Sequence, residues 1–107
     1  MILLRTDFSK FWGMEQYRNN LFLAASGVAY LVERSVELVG IDGLVIDDPH
    51  DGHRPAHTGL LRTNIQIVEN FCNLDQLPPI GFYFVAAPPK FERTTVFPAR
   101  TYAFFVP

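Results

Sequence analysis

Short apolar runs that end at a charged residue constrain the fold of this chain more than any other feature. Met1-Ile-Leu-Leu-Arg5 opens the series, and Val36 to Asp42, Leu44-Val-Ile-Asp47 and Ile65-Gln-Ile-Val-Glu69 continue it. Each is too short to persist as a helix, and each reads as a strand or part of one. Val36 and Leu38 alternate with Glu37, and Gly40 disfavours a helix interior, so a strand is expected from about Val36. Gly81 to Ala87 and Arg100 to Val106 add two more strands. Between the first two runs, Val28, Leu31 and Val32 recur at helical spacing behind Ser26, whose hydroxyl is expected to cap the helix. Pro55 then opens a short helix across His57 to Arg62, proline being tolerated in a first turn. The aromatic stretch from Phe8 to Tyr17 reads as a turn and a short helical segment folded onto its own rings. Strands interleaved with two or three helices predict an α/β domain.

A chain of 107 residues has room for one core, so residues 1–107 are expected to form a single domain. An apolar fraction of 49% with ten phenylalanines is generous for that length and predicts apolar surface left over. A second copy of the chain is the simplest cover, so a homo-oligomer is expected. A formal charge of −2 without a Lys/Arg cluster argues against a nucleic-acid partner. The single cysteine, Cys72, forms no internal disulfide and fits a reducing cytoplasm; it is expected to be a small buried filler. Met1-Ile-Leu-Leu is too short for the apolar part of a signal peptide, and Leu21 to Val32 is too short to span a membrane. A soluble cytoplasmic protein is the expectation.

Candidate chemistry gathers at His57 and Glu69, twelve positions apart and on different elements. An imidazole and a carboxylate meeting this way make half of a site for a divalent metal such as zinc or manganese. They can equally hydrogen-bond to each other or to nearby backbone. The loop before them carries Asp47, Asp48, His50, Asp51 and His53, but its spacing matches no standard zinc pattern and it reads as a solvated acidic loop. Asp42 and Asp47, at the ends of apolar runs, either orient a metal ligand from behind or turn the chain. Arg100 either holds a ligand carboxylate in a fork of two hydrogen bonds or pairs with Glu69, Asp42 or Glu92. No serine sits in a nucleophile elbow, nothing near Cys72 activates a thiolate, and the glycines form no phosphate loop.

Taken in order, Leu3-Leu-Arg-Thr-Asp7, Leu31-Val-Glu-Arg34, Leu38-Val-Gly-Ile-Asp42, Val45-Ile-Asp47, His57 to Glu69 with Asn70 and Asn73-Leu74, Gly81-Phe82 to Lys90, and Pro98-Ala-Arg100 resemble the C-terminal half of the cyclase or kynurenine-formamidase family. These are metal-dependent amide hydrolases. The resemblance implies a swivelling β/β/α fold around a mixed sheet, truncated here. It also implies that His57 and Glu69 match the two metal ligands contributed by the C-terminal half. Family members carry an earlier His-x-x-x-His-x-Asp motif with a further histidine close behind. Residues 1–49 contain no histidine, so that motif has no counterpart, and the lone chain is expected to lack catalytic competence with no catalytic residue of its own. A non-catalytic oligomeric scaffold or small-molecule-binding protein is the alternative expectation.

Overall fold

In the computed structural model, which describes residues 1–107, the chain divides into two units, Met1–Asp75 and Gln76–Pro107. The first is built on three parallel strands, β1 (Ile2–Leu4), β2 (Leu38–Ile41) and β3 (Gln66–Val68), in the order β1-β2-β3. Val39 lies between Ile2 and Ile67 in the register, and Gly40 between Leu3 and Val68. Parallel neighbours need a crossover, and two helices supply it: α1 (Ala25–Glu33) joins β1 to β2, and α2 (Pro55–Arg62) joins β2 to β3. Val28 and Leu31 of α1, Val39 and Ile41 of β2, Ala56 and Leu60 of α2, and Ile46 and Ile65 form one buried cluster. Ala56 and Leu60 are one helical turn apart, so α2 presents a single stripe to the core.

Two glycines set how closely these layers pack. A Cβ on Gly59 would meet Cγ1 of Val28 at 2.7 Å, so glycine is what lets α2 approach α1. A Cβ on Gly40 would collide with the ring of Phe71, which lies against the sheet there.

Several local expectations are corrected. The helix begins at Ala25, with Ala24 in the capping position and no side-chain cap, so Ser26 lies inside the first turn. Leu44 to Ile46 form no strand, and Asp47 therefore does not end one. The main-chain groups of that segment go elsewhere: Ile46 accepts from Leu23 N–H at 2.9 Å, Val45 accepts from Asn20 Nδ2 at 2.7 Å, and Ile46 N–H donates to Glu69. A run of apolar residues can be buried without a ladder when side chains meet its polar backbone. Cys72 is exposed, because Asn70 and Asn73 on either side take positive φ and turn Phe71 and Leu74 inward instead.

The second unit is an antiparallel pair, β4 (Tyr83–Ala87) and β5 (Arg100–Phe104), with Tyr83 opposite Phe104 and Ala87 opposite Arg100. The Tyr83 and Phe104 rings stack at 5.2 Å. Strand directions expected together in one mixed sheet are thus divided between a parallel sheet and a hairpin. Hairpin strands satisfy each other's backbone locally, whereas the parallel strands depend on the helices that connect them. The architecture is mixed α/β, and no helix is long and apolar enough to cross a membrane.

The aromatic stretch forms two 3-10 helices, Phe8–Phe11 and Glu15–Asn19, with Trp12 and Tyr17 edge-to-face at 5.3 Å. Tyr17 is buried and donates from its hydroxyl to Oδ1 of Asn70 at 2.9 Å. Burial, and then the charges of Asp42 and Glu69, hold its phenol above the ordinary tyrosine range. At alkaline pH the unfolded chain therefore releases a proton that the folded chain retains. Stability from this group is full below about pH 10 and is lost as pH rises through the raised folded value. Tyr17→Phe is expected to cost about 1 kcal/mol near neutrality, through the lost hydrogen bond. In urea unfolding, its deficit relative to the wild type should shrink between about pH 8 and about pH 11. A deficit independent of pH would remove this account of Tyr17.

Candidate functional site

Pro55 has no N–H, and Arg54 before it offers no side-chain cap, so the first turn of α2 exposes the amides of Ala56 and His57. The buried carboxylate of Asp47 accepts both, Oδ1 from Ala56 N–H at 2.5 Å and Oδ2 from His57 N–H at 3.2 Å. Oδ2 also lies 2.5 Å from Nδ1 of His57. One aspartate thus caps the helix and grips the imidazole that the helix carries.

This contact decides which nitrogen of His57 holds the proton. Asp47 accepts, so Nδ1 donates to it. Nη2 of Arg54 lies 2.8 Å from Nε2 and 3.3 Å from Nδ1, so the guanidinium sits against the face of the ring rather than in line with Nε2. A carboxylate behind the distal nitrogen is the usual way a metal-binding histidine is oriented.

Glu69, the residue after β3, reaches the same place. Its Oε1 lies 3.4 Å from Nε2 of His57 and accepts Ile46 N–H at 2.8 Å. Two bonds of about 2.1 Å to one ion, at a tetrahedral angle, set their donor atoms about 3.4 Å apart. The spacing fits one edge of a zinc-like coordination shell. His57 and Glu69 are both partly open, with side chains 18% and 21% exposed, so the edge faces outward. Two donors do not make a full set, and no group of three or more His, Cys, Asp or Glu side chains is placed to hold an ion.

The other candidate residues lie apart from this pair. Asp42 is buried and accepts Thr6 N–H and Thr6 Oγ1–H on Oδ1, at 2.8 and 2.5 Å, and Asp7 N–H on Oδ2 at 2.8 Å. It clamps the turn after β1, where Asp7 takes a positive φ, and it bonds to neither His57 nor Glu69. Arg100 opens β5 on the hairpin and is exposed. His53 pairs with Asp51 at 2.9 Å, and its backbone amide and side chain hold the Asp51 carboxyl below the usual range. His50 meets Asn19 at 3.2 Å. These two histidines belong to the loop's own bonding.

Arg54 was not marked out by the sequence, although its place three residues before His57 on a helix start is a signal for contact. It takes a left-handed conformation (φ 50, ψ 58), its Nη2 reaches His57, and its Nε lies 3.9 Å from Asp47. A positive charge thus stands against the face of the imidazole.

Several known proteins are similar to this chain. The family model named Cyclase matches residues 1–48, ending ahead of His57. An uncharacterised protein of Methanocaldococcus jannaschii is 33% identical across 96% of this chain, which spans 53% of that protein. A solved isatin hydrolase, bound to the product analogue thioisatinate, is 30% identical with a TM-score of 0.82 over 94% of this chain and 43% of its own. A potential metal-dependent hydrolase with cyclase activity is 32% identical with a TM-score of 0.69, over 77% of this chain and 40% of its own. The chain is similar to the cyclase family over residues 1–48 and spans about half, or less, of the length of these relatives.

Proposed function

We propose that His57 and Glu69 are two ligands of a divalent metal, zinc or manganese, in a metal-dependent hydrolase that cleaves an amide C–N bond. The observation that carries this reading is the 3.4 Å approach of Nε2 and Oε1, with Asp47 holding the far nitrogen. Both related solved structures are described as hydrolases, one of them metal-dependent, and the fold is the same over most of this chain. When bound, such a metal supplies an activated water for attack on the carbonyl. Within the chain, Asp47 fixes the imidazole plane and tautomer, while Ile46 N–H fixes the Glu69 carboxylate. Two ligands leave the set incomplete, so these 107 residues alone are not a competent catalyst. The missing donors come from other polypeptide, within the swivelling β/β/α arrangement that the resemblance implies.

A second copy of the chain is the partner we favour, and the exposed apolar residues support it. Trp12 is 67% exposed in the first unit, and Ile80 and Val96 are 83% and 84% exposed in the second. The lone exposed thiol of Cys72 suits a reducing cytoplasm.

Calorimetric titration with Zn²⁺, followed by light scattering on the same samples, tests both parts. Wild type should bind Zn²⁺ weakly but saturably, His57→Ala should lose that binding, and the mass should be a multiple of the chain. Equal Zn²⁺ binding by His57→Ala would overturn the ligand assignment. A monomer at micromolar concentration would overturn the self-association, leaving a scaffold role without its support.

A further inference from the structure

One peptide unit behind Glu69 is held at both ends. Its N–H, on Ile46, donates to Oε1 of Glu69 at 2.8 Å, and its carbonyl, on Val45, accepts from Nδ2 of Asn20 at 2.7 Å. A trans peptide points these two groups in opposite directions, so the unit is a rigid spacer between the Asn20 amide and the Glu69 carboxylate. The next carbonyl, of Ile46, accepts Leu23 N–H at 2.9 Å. Asn20 follows the second 3-10 helix and is only 3% exposed. Its Nδ2 also donates to the carbonyl of Leu21 at 2.7 Å. Carbonyl oxygens only accept, so the nitrogen must face both of them and the amide cannot be turned over. That orientation leaves Oδ1 buried with no hydrogen-bond partner. Burying an unpaired oxygen is unfavourable, and an apolar side chain of the same size would fill the space without it. What an apolar side chain cannot do is donate to Val45.

We propose that Asn20 is a positioning residue for Glu69, acting through the Val45–Ile46 peptide unit. A hydrogen bond accepted at a peptide carbonyl polarises the unit and strengthens the bond that its N–H gives, more so away from water. Asn20 thus fixes where the Ile46 N–H points and makes that N–H a better donor to the carboxylate. Oε1 of Glu69 is also the atom 3.4 Å from Nε2 of His57, so any shift of Ile46 moves one end of the candidate metal edge. Gly43 completes the arrangement. A Cβ there would lie 2.9 Å from Nδ2 of Asn20 and 3.0 Å from its Cβ, so only a bare backbone lets the amide seat on the segment it holds. Control of zinc affinity by Asn20 rests on the metal reading of His57 and Glu69; control of the Glu69 carboxylate does not.

The test pairs zinc calorimetry with NMR of the metal-free full chain, on Asn20→Ala and Gly43→Ala. Gly43→Ala keeps the amide but crowds it away from Val45, and Gly43 has no positive φ that a side chain would strain. In both variants the Ile46 amide proton should move upfield and exchange faster with solvent, and the Glu69 side-chain carboxyl carbon should shift. Zinc should bind about three- to tenfold more weakly, less than the loss expected for a direct partner of a ligand. Asp42→Ala, which weakens the same unit elsewhere, should leave these readings as in the wild type. An equal loss there would reduce the effect to stability and overturn the proposal. Unmoved Ile46 and Glu69 signals, or wild-type zinc affinity, in a folded variant would also overturn it. Should Asn20→Ala fail to fold, Gly43→Ala decides. Zinc bound by His57→Ala as tightly as by wild type would instead remove the metal reading, and the metal-free signals would then decide the role of Asn20.

Discussion

Asp47→Asn is expected to weaken Zn²⁺ binding by about 10–100-fold, the usual effect of losing the carboxylate behind a metal-binding histidine. The amide preserves the shape but offers one acceptor oxygen where the carboxylate offers two, and Asp47 uses both. Oδ1 serves Ala56 N–H, and Oδ2 serves His57 N–H and Nδ1. An amide nitrogen on the second position would face donors and push the imidazole away. Asp47→Ala goes further, because it leaves the start of α2 without a cap and a buried N–H without a partner. Together these cost about 2–4 kcal/mol. Thermal unfolding and zinc calorimetry on the two variants separate the effects. Should Asp47→Asn remain folded and bind zinc as wild type does, Asp47 only caps the helix and does not orient His57.

Asp42→Ala is expected to cost about 3 kcal/mol of stability and to leave zinc affinity unchanged. Three donors converge on this carboxylate from Thr6 and Asp7, and hydrogen bonds to a charged acceptor are among the stronger ones. Removing it frees the turn that leads from β1 into the first 3-10 helix. No bond connects it to His57 or Glu69, so the metal pair has no reason to move. Urea unfolding gives the stability change, and calorimetry on the folded variant gives the affinity. A large loss of zinc binding at full stability would assign Asp42 to the site after all.

These two aspartates show how far the sequence could be read. Both follow apolar runs, both are buried, and both were open to the same two descriptions. Spacing cannot separate them, because their difference lies in what comes to meet each carboxylate from a distant part of the chain. Thr6 and Asp7 reach Asp42 across 36 and 35 positions, and Ala56 reaches Asp47 across nine. The elements themselves were more legible. Every expected strand other than the Leu44 to Ile46 run formed within two or three residues of its pattern, and both helices formed at their apolar spacing. Leu44 to Ile46 misled because apolar residues report burial, and only the partners of their amides decide whether burial means a strand.

Sequence alone determined the alternation of helix and strand, and it brought His57 and Glu69 forward as a pair. Local chemistry carries that information: apolar period and proline at a helix start are properties of neighbouring residues. Tertiary structure alone decided that Nε2 and Oε1 stand 3.4 Å apart, that Asp47 rather than Asp42 sits behind the imidazole, and that Arg54 packs against its ring. Those relations depend on where β2, α2 and β3 pack around one core, and packing joins residues whose separation along the chain records nothing of their distance in space.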